Sequence, residues 1–180
     1  MAKKNEKSHL EALGNVYLAG FMCAGKTSAG RLLAKKLGRR FADSDALVEK
    51  QAGRSVAELV RARGLGGFRR LEAGIVKRLA AERGLVVALG GGVYPSRRWR
   101  GLLERTGVTV FLACGWPELE RRLSKSLAPR PLLAGPREAA LARAKKLYTR
   151  RLPFYRRAGL SVDVTRAAPE KAAELIRKKL

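Results

Sequence analysis

One histidine, two cysteines and an aromatic content of 6% are what this 180-residue chain is short of, along with acidic residues, 15 against 39 basic ones. Each shortage removes a class of function. With only His9, placed in the N-terminal tail, neither a histidine-based triad nor a histidine zinc site can be assembled. Cys23 and Cys114 form no disulfide framework and lack metal-ligand spacing, so a reducing cytoplasm is the expected setting. No apolar run approaches the roughly 20 residues of a membrane span. Residues 1–12 lack the apolar stretch of a secretion signal and read as a solvated basic tail.

The scarcity of acids leaves a formal net charge of +24. Such an excess raises nucleic acid as a partner. The cations are nevertheless spread over nearly every segment, and no nucleic-acid module appears among them. Arg97-Arg98-Trp99-Arg100 reads as a solvated helix face, not a base-stacking site. Nonspecific attraction at low salt is expected, and a specific nucleic-acid or membrane partner is not.

What the chain does carry is a complete phosphate loop, Gly20-Phe21-Met22-Cys23-Ala24-Gly25-Lys26-Thr27, between a short apolar run at 16–19 and a helical pattern at 27–37. Gly20 and Gly25 allow the tight turn that points backbone N–H groups at a polyphosphate. The helix N-terminus behind them favours the same anion. Lys26 is placed to reach the β- and γ-phosphates and Thr27 to ligate Mg²⁺. Phe21, Met22, Cys23, Ala24 and Ser28 complete the expected nucleotide-contacting set.

Apolar runs at 16–19, 40–42, 85–89, 108–113 and 160–164 alternate with helical patterns, as in a parallel α/β sheet covered on both faces. Ser55 and Glu58 predict a capping box opening a helix to about 63. Phe68, Leu71, Ile75 and Leu79 give the next helix one apolar stripe. Pro117 and Pro169 begin helices running to about 124 and to 180. No internal repeat or long linker divides the chain, so a single domain over 1–180 is expected. The stretch 125–137, rich in proline and carrying Arg130 among apolar residues, reads as a lid.

Three further groups fall after strands or beside them. Asp43 and Asp45 follow the second strand, at the end of a parallel sheet where ligands collect. One is suited to Mg²⁺ and its waters and the other to a substrate hydroxyl; alternatively, Asp45 caps the following helix. Gly90-Gly91-Gly92 follows the third strand and opens the backbone to a ligand. It stands where many phosphate-loop enzymes carry a metal-binding acid, which shifts that task to Asp43. Arg69, oriented by Glu72 three residues on, and Arg151 form a pair able to grip a small carboxylate.

Together these residues resemble the shikimate kinase family over nearly the whole chain, in order and in spacing: the loop at 20–27, Asp43-Ser44-Asp45, Phe68-Arg69, Gly90-Gly91-Gly92, Arg130-Pro131-Leu132-Leu133, Arg151 and Tyr155. The resemblance implies a three-layer α/β/α fold on a five-stranded parallel sheet of order 2-3-1-4-5. It implies ATP and Mg²⁺, with transfer of the γ-phosphate to the 3-hydroxyl of shikimate by a monomer. It assigns Lys26, Asp45 and Arg130 to catalysis, with Asp45 at the shikimate hydroxyls. It gives Thr27 and Asp43 to the metal, and Arg69, Arg151, Gly90, Gly91 and Gly92 to shikimate. Arg122 and Arg166 flank the adenine. Two positions depart from the family pattern: Leu65 replaces a glutamate, and Cys23 stands where glycine is common. A gluconate-type kinase is the alternative among enzymes, and a basic nucleic-acid-binding ATPase the alternative from another class.

Overall fold

The computed structural model describes residues 13–125 and 135–180. Its elements run β1 (Asn15–Ala19), α1 (Lys26–Leu37), β2 (Arg40–Asp43), α2 (Ser44–Ala52), α3 (Val56–Ala81), β3 (Leu85–Ala88), α4 (Arg97–Thr106), β4 (Gly107–Ala113), α5 (Trp116–Lys125), α6 (Arg137–Tyr155), β5 (Leu160–Asp163) and α7 (Pro169–Arg177). All strand pairings are parallel and the order is β2-β3-β1-β4-β5, as expected. Every residue of β1 and β3 is buried, so helices cover both faces of the sheet. No helix among the described residues is long and apolar enough to cross a membrane.

β1 begins one residue before the apolar run because Asn15 is held by bonds, not by hydrophobicity. Its Nδ2 donates to the carbonyls of Leu79 and Glu82 and to the Tyr17 hydroxyl. Its Oδ1 accepts from Leu85 N. A buried amide so satisfied ties the first strand to the end of α3 and the start of β3. Across the sheet, β4 starts at Gly107 because a Cβ there would lie 2.0 Å from the Asn15 carbonyl oxygen.

Helix ends follow the sequence signals with two adjustments. Ser55 and Glu58 make both halves of the capping box. α3 then continues through Ala81, interrupted by Gly64 at φ 64° and ψ 172°, so the two expected helices meet at a kink. Leu65, directly after it, is exposed. The terminal helix stops at Arg177, three residues short of the expected end. Trp99 is buried, with the Arg98 guanidinium 4.8 Å above its ring, and offers nothing for base stacking.

Candidate active site

The loop between β1 and α1 wraps on itself. Ala24 N donates to Phe21 O, and Lys26 Nζ donates to the carbonyls of Gly20 and Phe21 at 3.0 and 2.9 Å. Gly25 takes φ 94° and opens α1. Cys23 also takes a left-handed φ, 61°, and no other non-glycine described residue does. Its side chain is accommodated, but the backbone conformation is one that glycine adopts without the steric cost of a Cβ.

Asp43-Ser44-Asp45 sends three consecutive side chains in three directions. Asp43 is the N-cap of α2: its Oδ1 accepts from Asp45 N and Ala46 N, while Oδ2 accepts from Thr27 Oγ1 at 2.6 Å. The cap is therefore Asp43, and Asp45 is left for the cleft. Ser44 is fully buried and its Oγ accepts from Gly90 N at 2.8 Å. Asp45 Oδ1 is buried and accepts no hydrogen bond from the described residues. Burial raises its pKa above the ordinary aspartate value, against the opposing pull of Lys26.

The glycine triplet has a use beyond exposing backbone to a ligand. A Cβ on Gly90 would lie 2.4 Å from Asp45 Oδ1 and 3.0 Å from Glu72 Oε1. A Cβ on Gly92 would lie 2.0 Å from Arg69 Nη2. The missing side chains make room for the protein's own carboxylates and guanidinium. Gly91 is less crowded, with Arg151 Nη1 3.6 Å from its Cβ position, and its carbonyl accepts a short bond from the Tyr155 hydroxyl.

Arg69 and Arg151 reach this spot from α3 and α6. Phe68 packs in the core while Arg69 Nη1 bonds both oxygens of buried Glu72. Burial raises the Glu72 pKa, and Arg69 counteracts it. Burial lowers the Arg151 pKa from its ordinary value, and the nearby Arg69 charge adds to that. Tyr155 is pushed up to about 12 by burial and so remains a neutral donor.

A cleft of about 1020 Å³ runs along the phosphate loop and is walled by Asp43, Asp45, Gly91, Arg122 and Arg166. Arg69, Arg151, Gly90 and Gly92 are not in its wall; they cluster beside it, next to Asp45 and Gly91, which are. Arg130, and 126–134 of the expected lid, lie outside the described residues. Ser44 and Tyr155 received no role from their sequence context, because each acts on the glycine triplet from a distant part of the chain.

Among the described residues no group of three or more histidine, cysteine or acidic side chains could hold a metal alone. The Thr27 hydroxyl and Asp43 carboxylate are the hard oxygen donors that suit Mg²⁺ held jointly with phosphates, so the residues fit that ion.

A phosphate loop at one end of a parallel 2-3-1-4-5 sheet, beside a cluster of aspartate, arginines and glycine backbone, defines a P-loop kinase of a small acceptor. Residues 22–180 match the shikimate kinase family. The chain is 46% identical over 145 residues to a shikimate kinase of Symbiobacterium thermophilum, covering 80% of this chain and 82% of that one. A shikimate kinase of Synechococcus sp. (strain RCC307) is 40% identical over 167 residues, with 92% and 84% covered. The solved shikimate kinase from Acinetobacter baumannii in complex with shikimate superposes with a TM-score of 0.86 at 32% identity, covering 96% of each chain. The chain belongs to the shikimate kinase family.

Proposed function

We propose that this protein transfers the γ-phosphate of ATP to the 3-hydroxyl of shikimate, releasing ADP and shikimate 3-phosphate. The observation that carries this is the convergence of Arg69 and Arg151, from two helices, on the glycine triplet beside Asp45. Two guanidinium groups on one side suit a carboxylate, and an unpartnered aspartate oxygen on the other suits a hydroxyl. Neither a nucleobase nor an uncharged sugar needs that combination.

In this reading Gly20, Phe21, Met22, Cys23, Ala24, Gly25, Thr27 and Ser28 cradle the triphosphate. Lys26 leaves the Gly20 and Phe21 carbonyls to serve the β- and γ-phosphates. Arg122 and Arg166 flank the adenine. Thr27 and Asp43 hold Mg²⁺, which when bound neutralises phosphate charge. Asp45 orients the 3-hydroxyl and accepts its proton as the new P–O bond forms and the bond to ADP breaks. It need not be a strong base, because the transition state is loose and little proton transfer precedes cleavage. Arg69 and Arg151 hold the carboxylate, and Gly90, Gly91 and Gly92 meet the ring hydroxyls. Arg130, which lies outside the described residues, adds charge at the γ-phosphate, and the chain acts as a single domain. The enzyme works as a cytoplasmic monomer on two anionic substrates, without a specific nucleic-acid partner.

A coupled assay of ADP release with shikimate, gluconate or nucleoside monophosphates tests the reading. Turnover with shikimate alone is expected. Faster turnover with gluconate, or hydrolysis stimulated by nucleic acid at physiological salt, would replace it.

A further inference from the structure

Arg122 is restrained at each of its three side-chain nitrogens. Its Nε donates to Glu118 Oε1 at 2.6 Å, its Nη1 to the Cys23 carbonyl at 3.2 Å, and its Nη2 to the Val164 carbonyl at 3.5 Å. Those acceptors belong to α5, to the phosphate loop and to the segment after β5. With one N–H of each nitrogen so engaged, the plane of the guanidinium is fixed and its flat face can be offered to the cleft that Arg122 lines. The charged acceptor in the set is Glu118, which also takes two bonds from Arg121, both at 2.7 Å. Three N–H donors on one carboxylate hold it ionised, with its pKa lowered to about 2.

We propose that Glu118 is a positioning residue of the nucleotide site: it fixes the Arg122 guanidinium as a flat platform for the purine base and anchors that platform to the phosphate loop at Cys23. The proposal rests on the ATP reading given above. A neutral amide would not serve equally. Glutamine has one acceptor oxygen in place of two, and its NH₂ group would face the N–H donors of Arg121 or Arg122. If Glu118 were only a surface ion-pair partner within α5, its loss would affect helix stability slightly and would not distinguish one phosphate ligand from another.

That distinction is the test. Binding of MgATP and of magnesium tripolyphosphate, which has the phosphates but no base, is measured by calorimetry on wild type, Glu118→Gln and Arg122→Ala. Tripolyphosphate binding doubles as a check that the loop is folded. For Glu118→Gln the expectation is a five- to tenfold loss of ATP affinity, roughly that of weakening one charge-assisted bond, with tripolyphosphate changed less than twofold. Arg122→Ala is expected to show the same pattern, more strongly. If Arg122→Ala weakens ATP and Glu118→Gln does not, Glu118 has no positioning role. Equal weakening of both ligands by Glu118→Gln refutes the platform as well. An Arg122→Ala protein with unchanged ATP affinity would overturn the assignment of the base site itself, and the proposal with it.

Discussion

Gly92→Ala tests the acceptor pocket sharply, because the substitution adds one methyl group and removes no functional side chain. An alanine Cβ at this position would stand 2.0 Å from Arg69 Nη2, 2.6 Å from Cζ and 2.7 Å from Nη1. To reach ordinary van der Waals separation the guanidinium must retreat by about 1.5 Å. Gly92 does not occupy the left-handed region, so alanine fits the backbone, and what moves is the end of a flexible side chain. The fold should survive. Arg69, however, leaves its bonds to Glu72 and its place opposite Arg151. A hydrogen bond to a charged group is worth about 1.5–3 kcal/mol, which corresponds to a loss of roughly 10- to 150-fold. Steady-state kinetics should therefore show kcat/KM for shikimate falling at least tenfold, with the KM for ATP nearly unchanged and Tm lowered by roughly 2–10 °C because buried Glu72 loses its partner. An unchanged KM for shikimate in a folded Gly92→Ala protein would show that Arg69 does not hold the acceptor.

Asp45→Asn is expected to abolish turnover while ATP affinity stays close to wild type; near-normal turnover would take Asp45 out of the chemistry. Because burial raises the Asp45 pKa, the acid limb of kcat/KM for shikimate should lie above the ordinary aspartate range, with activity lost as pH falls through it. The stability consequence has the opposite sign: the folded state holds this proton more tightly than the unfolded chain, so the ionised group lowers stability as pH rises through that range. Asp45→Asn should thus melt higher than wild type at neutral pH, and an equal or lower Tm would contradict the burial account. Leu65 is 58% exposed at the first position after the Gly64 kink, where a carboxylate would face the N-terminus of the continuing helix. Leu65→Glu is expected to add about 0.3–1 kcal/mol, seen as a rise of roughly 1–4 °C in Tm.

Patterns in the sequence revealed the sheet almost residue by residue, because five apolar runs without polar alternation have few other uses in a chain with these helices between them. Two strands start one residue early: β4 at Gly107, and β1 at Asn15, a polar residue satisfied by partners more than sixty positions away. Arg69 and Glu72 were legible since three residues on a helix bring side chains together. Ser44, Tyr155 and Glu118 were not. Ser44 and Tyr155 meet Gly90 and Gly91 across distant parts of the chain, and Glu118 acts through Arg122 on Cys23, so no local spacing announces any of them. The αL backbone of Cys23 was likewise hidden, since cysteine is not a residue that signals it.

The tripeptide Asp43-Ser44-Asp45 also limits how this chain can vary in length. Asp43 serves the phosphate loop, Ser44 the glycine triplet, and Asp45 turns into the cleft beside Gly90. Successive residues at the start of α2 are separated by about 100° of rotation. Inserting or deleting a single residue here would misdirect all three at once, with no compensating shift elsewhere able to restore them together. The junction of β2 and α2 should therefore be free of gaps among relatives.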